Sequence, residues 1–284
     1  SNGFLGVTSR KSYGIMLVAK GSYEDESGQT QYTLGSDAMN AVEYAELKAP
    51  QTLADRVVHE ATRMRHARAL TAEDRCNDVS LVFEPSLAPV FWGDVISAMQ
   101  GKAVADGMSF LQDHFGEAVL PSDISVVNDP TIKGTLYHRY FDKDGLPASR
   151  HVMVDNGVIR NWFLDLYNAR KLGMSPTGEI GNVLIESSGD AAQDLNALIR
   201  DIDTGIVVTD FNGGGMDTVM GQYQAGAKGI LIRRGEMVEP VRDFSLAHND
   251  LHAMLATTRI AGDHERKGRF RVPSTRVDGL TLSA

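Results

Sequence analysis

Apolar positions along this chain recur with a period of two in some stretches and of three to four in others, and the changes between the two mark its elements. The run Tyr13-Gly14-Ile15-Met16-Leu17-Val18 predicts a strand within residues 1–21, and residues 21–31 read as a polar turn. From Thr52 onward, Leu53, Val57, Ala61 and Met64 share one stripe, which predicts an amphipathic helix with a charged opposite face. Thr52 with Asp55 resembles a capping box at its start. The periodicity lapses over residues 70–77, and this polar stretch predicts a boundary between two domains, 1–75 and 76–284.

Beyond it, Val79 to Phe83 predicts a buried strand, and Pro85 to Gln100 a helix entered through proline and ending at Gly101. Strand signals dominate residues 123–164, where Asp155-Asn156-Gly157 predicts a type I′ hairpin turn. Asp165 to Leu172 is a short helix closed by Gly173, and Leu195, Leu198, Ile199 and Ile202 predict another amphipathic helix running to Gly205. Strands then return at Ile206–Val208, Lys228–Arg233 and Glu236–Val241, with Asn212-Gly213-Gly214-Gly215 read as a loop joining strands. A final helix is expected over Asn249–Ile260 and a last strand at Leu280–Leu282. The class is α+β: predominantly antiparallel sheets with several flanking helices, in two domains.

Composition narrows the field. At 284 residues, 42% hydrophobic and 23% charged, the chain can bury a core, so a disordered protein is excluded. A net charge of −9 opposes nucleic-acid binding, and the densest basic stretch, Arg259 to Arg276, is broken by Asp263 and Glu265. The single cysteine, Cys76, excludes an internal disulfide framework and a four-cysteine zinc site, which favours a reducing, cytoplasmic setting. No run approaches the 18 or so apolar residues of a membrane-spanning helix.

Candidate chemistry is sparse. His59 and His66 stand seven residues apart, two helical turns and about 10.5 Å of rise, too far for one zinc ion. His248 and His252 have i, i+4 spacing beside Asp250, the better metal candidate, but Asn249 stands where the general-base glutamate of a zinc-peptidase helix would be. Asp142-Lys143-Asp144-Gly145 lacks the twelfth-position glutamate of a calcium loop and reads as a turn. Gly-x-Ser-x-Gly does not occur, and nothing around Cys76 marks an activated thiol.

Several segments in order resemble a known family. Asp129-Pro130, then Phe141-Asp142-Lys143-Asp144-Gly145, then Tyr167-Asn168-Ala169-Arg170-Lys171-Leu172-Gly173 with Ser175-Pro176-Thr177-Gly178, then Gly205-Ile206-Val207-Val208-Thr209 with Gly213 and Gly221, are similar to the TldD/PmbA family. Its members are modulators of DNA gyrase by older description and metallopeptidase subunits by newer. The resemblance covers essentially the whole chain and places Ser1 where the family's N-terminal domain ends.

The resemblance implies more than the residues do. Catalytic members carry His-Glu-x-x-x-His on the helix after the strand matched by Val79–Phe83, and a cysteine ligand near the C-terminus. Here that motif falls on Trp92-Gly93-Asp94-Val95-Ile96-Ser97, and Gly262 to Pro273 contains no cysteine. Trp92 cannot ligate zinc and Gly93 cannot act as a base. The resemblance therefore implies the PmbA (TldE) branch: a subunit inactive alone, with no catalytic or metal residue of its own, and zinc in a TldD-like partner. Its expected substrate is an unstructured peptide, with a homodimer as the state in isolation. Trp92, Gly93, Asp94 and Ser97 become a vestigial active-site helix, and Ser109, Phe110, Asn168, Arg170, Gly213 and Gly214 candidate channel residues. The alternatives are a peptidase with an unconventional site at His248 and His252, and a self-associating peptide-binding protein.

Overall fold

The computed structural model describes residues 3–24, 28–189 and 191–284. Strands β1 (Tyr13–Glu24) and β2 (Thr30–Ala41) pair antiparallel over their full length. Side chains alternate between the two faces of the pair, and helix α1 (Pro50–Arg63) lays Leu53, Val57 and Ala61 against one of them. The approach is close because β2 presents Gly35 there: a methyl group on it would overlap the Val57 carbonyl and stand 2.7 Å from the Ala61 nitrogen. The polar turn expected from Gly21 is shorter, because β1 runs on to Glu24; residues 25–27 lie outside the described residues. No capping box forms at Thr52, since Ala49 takes the N-cap and Pro50 the first turn, where a missing N–H costs nothing.

Next come β3 (Arg68–Ala69), β4 (Cys76–Phe83), α2 (Ala88–Ala98), α3 (Gly101–Ala105), β5 (Ile124–Asp129), β6 (His151–Asp155), β7 (Val158–Ile159), α4 (Leu166–Leu172) and β8 (Asn182–Ser187). They are followed by α5 (Leu195–Ile199), β9 (Thr204–Asp217), β10 (Gln222–Arg233), β11 (Glu236–His248), α6 (Leu251–Ala256), β12 (Arg259–Ile260), β13 (Glu265–Lys267), β14 (Phe270–Val272) and β15 (Thr275–Ser283). One sheet has the order β12-β15-β4-β9-β10-β11-β3, and β11 also pairs with β15, so five of its strands close on themselves. The other sheet runs β13-β14-β8-β5-β6-β7. Most pairings are antiparallel; β4–β9, β3–β11 and β8–β14 are parallel. The α+β class read from the sequence is borne out.

The buried half of strand β4, Val79 to Phe83, is apolar apart from Ser80 because both its faces are covered. Val79, Leu81 and Phe83 enter the main core, while Val82 enters a smaller one with Leu198, Ile199 and Ile202. The Asp155-Asn156-Gly157 hairpin forms with positive φ at both Asn156 (48°) and Gly157 (81°), as a type I′ turn requires. Helix α4 starts on the Asp165 side chain and ends at Gly173 with φ 67°, as its sequence predicts.

Elsewhere tertiary contacts override local pattern. The helix expected from Pro85 begins at Ala88, and Gly101 opens α3 rather than closing α2. Helix α5 stops at Ile199, because Thr204 already belongs to β9. The Asn212–Gly215 segment is no loop: it lies inside β9, Gly213, Gly214 and Gly215 pairing with Gly226, Ala225 and Gln224. Asn249–Ile260 yields only the six residues of α6, since Arg259 and Ile260 leave to pair with β15.

Candidate functional site

Helix α2 lies against β9 and β14, one strand from each large sheet. Phe91, Trp92, Val95, Ile96 and Ala98 are buried, which leaves Gly93, Asp94 and Ser97 on its outer side. Trp92 is fully buried, and its indole Nε1 donates to Thr275 Oγ1 at 2.9 Å. Gly93 faces open space: the nearest atom to a methyl group placed there is Phe270 Cζ, at 4.0 Å. Ser97 Oγ donates to the Gly93 carbonyl at 2.8 Å, a local helix bond.

Asp94 is the polar centre of this surface. Its Oδ2 accepts from the Met216 backbone N–H at 3.2 Å, and a side chain on Gly215 would crowd it. Burial pushes its carboxyl above the ordinary range, and the Met216 hydrogen bond offsets part of that. The Tyr223 hydroxyl is buried without a hydrogen-bond partner; burial and then the Asp94 charge push it upward too.

A zinc ion does not fit this set. The indole N–H is a donor committed to Thr275, Gly93 has no side chain, and the Ser97 hydroxyl is committed to its own helix, so one carboxylate remains where catalysis needs three ligands. The histidine alternative fares no better. His248 is the last residue of β11 rather than part of a helix, so the i, i+4 argument fails. Its Nδ1 accepts from the Asp250 N–H at 3.1 Å, whereas the His252 ring packs on His114 and Phe110 with centroids 4.2 and 4.9 Å away. Among the described residues, no three His, Cys, Asp or Glu side chains converge as a metal site.

The six candidate channel residues lie on α4, on β9 and in the segment that follows α3. Ser109 is buried and bridges the Ala98 carbonyl (2.7 Å) and the Leu111 N–H (3.1 Å). Phe110 packs under His252, with its N–H on the Thr218 carbonyl. Asn168 is buried and donates to the Asp165 cap at 2.8 Å, while Arg170 is exposed on α4. Gly213 and Gly214 sit exposed in β9.

A cleft of about 670 Å³ opens between β2, the end of α1 and the β9–β10 pair. Arg63 on its floor holds Glu84 through both guanidinium amines (2.8 and 2.7 Å) and Glu60 at 2.8 Å. At one end Asp37 meets Lys267 at 2.6 Å and Arg56 at 3.4 Å, and Arg56 reaches on to Glu265 at 2.8 Å. Sequence reasoning missed this cluster. Glu60 and Arg63 are readable as an i, i+3 pair, but nothing local connects them to Glu84 or to β2.

Residues 77–284 match the profile of the PmbA/TldA metallopeptidase C-terminal domain. The chain belongs to that PmbA/TldD metallopeptidase family. A metalloprotease PmbA homolog of Haemophilus influenzae is 26% identical over 287 residues, covering 100% of this chain and 61% of that protein. Metalloprotease PmbA of Escherichia coli O157:H7 is 28% identical over 203 residues, covering 72% and 45%. The fold is that of a protein from Bacteroides thetaiotaomicron described as a modulator of DNA gyrase (TM-score 0.86, 24% identity, 100% of this chain and 62% of that one). It is also that of TldE from Thermococcus kodakarensis (TM-score 0.69, 17% identity, 96% and 69%). The chain thus spans less than two thirds of the length of these two PmbA relatives. Within that family its sequence is similar to PmbA relatives. None of the helices in the described residues is long and apolar enough to cross a membrane.

Proposed function

We propose that this chain is a non-catalytic subunit of a TldD-type zinc peptidase in the cytoplasm, where it binds an unstructured peptide beside the catalytic partner. One observation carries the reading: the helix on which catalytic relatives are expected to hold zinc bears a buried, hydrogen-bonded tryptophan, a glycine and a serine turned onto its own helix. The surface is kept in shape but holds no ligand set. A sheet-rich subunit suits peptide binding, because an extended chain can be gripped through main-chain hydrogen bonds at a strand edge with no reactive group.

The test is cleavage of an unfolded reporter peptide by the purified chain, by a TldD-type partner and by their mixture, with zinc determined in each. Cleavage that needs the mixture, with zinc in the partner alone, is the expected result. Zinc at one per chain with cleavage by this chain alone would overturn the proposal.

A further inference from the structure

Strand β9 runs past the end of its neighbour β4: their parallel pairing stops at Phe83 with Val208, and beyond Val208 β9 pairs with β10 alone among the described residues. Its other edge faces helix α2, where Asp94 Oδ2 takes the Met216 N–H at 3.2 Å. Opposed residues of an antiparallel pair alternate between bonded and non-bonded, and Met216, whose N–H is spent on Asp94, forms a non-bonded pair with Tyr223. The register is unbroken from Met216 to Gly213, so Gly214 also turns its N–H and C=O toward α2. The glycines add no side chain to this edge. Gly213, Gly214 and Gly215 have φ of 145°, 83° and 148°, which other residues rarely adopt, and a methyl group on Gly215 would stand 3.1 Å from Asp94 Oδ2. Gly93 likewise leaves room between α2 and Phe270.

Asp94 meets no countercharge. Burial raises its carboxyl and the Met216 bond lowers it, and no charged side chain among the described residues acts on it in either direction. One carboxylate oxygen is thus spent on a neutral donor, and the other accepts no hydrogen bond from the described residues. Tyr223 lies directly across from Met216 in the β9–β10 register, so the two side chains share a face. It is only 4% exposed, its hydroxyl has no hydrogen-bond partner among the described residues, and it is close enough to Asp94 to feel the carboxylate's charge. A half-buried carboxylate without a cation and a buried hydroxyl without a partner each cost free energy until a ligand meets them.

We infer that the corner between α2 and β9 holds a primary ammonium group of a bound peptide, with the free oxygen of Asp94, the Tyr223 hydroxyl and the Gly214 carbonyl as its three acceptors. The inference rests on the peptide-binding reading above and names the chemical group that is recognised. The uncompensated charge calls for a cation. One carboxylate is too few for a metal ion, and the fork of a guanidinium is matched by both oxygens of a carboxylate, one of which Met216 already occupies. An ammonium is a compact charge with three donors, each met by a single acceptor.

The experiment is fluorescence anisotropy of the whole chain with unstructured heptapeptides of serine, alanine and threonine, labelled at the C-terminus. One has a free amino terminus and a central norleucine, one is acetylated with a central lysine, and one is acetylated with a central norleucine. A peptide that carries an ammonium is expected to bind roughly three- to tenfold more tightly than the last, and which of the two gains tells a terminus from a lysine. Asp94→Asn keeps an acceptor for Met216 and should abolish the gain, while Tyr223→Phe keeps the ring in the core and should reduce it. Equal binding of all the peptides to the unaltered chain would overturn the ammonium site and leave peptide binding standing. No binding of any of them would overturn both. A gain undiminished in Asp94→Asn would put the ammonium elsewhere and sink the assignment. Because the peptide series is run on the unaltered protein, the first outcome does not depend on how a variant folds.

Discussion

At the scale of single residues, the helix α2 surface is defined by what its polar groups are committed to. Trp92 and Ser97 are tied to Thr275 and to the helix backbone, and Asp94 alone keeps a free valence toward the surface. Its ionised form is disfavoured in the fold. Below the ordinary carboxylate value of 3.8 the side chain is protonated whether the chain is folded or not, and burial costs nothing. As pH rises past that value the unfolded chain ionises first, so stability is lost up to and through the raised folded pKa. Asp94→Asn keeps an acceptor for the Met216 N–H and cannot ionise. Its stability relative to the unaltered chain, from urea unfolding at a series of pH values, should therefore be higher at pH 7 than at pH 3. A constant difference would show that the Asp94 charge carries no such cost.

At the scale of elements, two glycines with similar local signals do opposite things. Gly93 lies in a helix interior with open space before it, so Gly93→Ala should stabilise the chain by up to about 1 kcal/mol through helix propensity. Gly35 lies where α1 rests on β2, and no room exists for a methyl group between it and the Val57 carbonyl. Gly35→Ala should cost about 3 kcal/mol or more and loosen α1 from the hairpin. Denaturant midpoints report the stabilities, and limited proteolysis between β2 and α1 locates the damage. Both substitutions being neutral would mean that the packing of α1 on the hairpin is soft.

At the scale of the whole molecule, closure of the five-stranded ring depends on the last strand. Ser245–Ala247 of β11 pair with Thr281–Ser283 of β15, and Leu280 and Leu282 are buried in the main core. Leu282→Ala should cost about 2–5 kcal/mol, in the range of buried leucine truncations. Hydrogen exchange should quicken at Ser245–Ala247 as well as in β15, since one side chain closes the ring from both sides. Acceleration confined to β15 would mean that the ring is not a cooperative unit.

The local pattern of the sequence settled several elements. Leu53, Val57 and Ala61 mark the buried face of α1; Asp165 and Gly173 bound α4; Asn156-Gly157 makes its turn; each rests on contacts within a few residues. The absence of ligating side chains at Trp92, Gly93 and Ser97 was equally legible, because it is a matter of residue type. What depended on partners far along the chain was not. Asn212–Gly215 looks like a loop by composition and becomes strand because Gln224–Gly226 supply its hydrogen bonds. His248 and His252 have helical spacing but fall on a strand and a helix, since β11 extends that far to pair with β10 and β15. The cleft joins Asp37, Glu60, Glu84 and Lys228, which no window of sequence holds together. Burial and charge at a site are set by neighbours in space, so the tertiary structure alone decided which carboxylates meet which cations there.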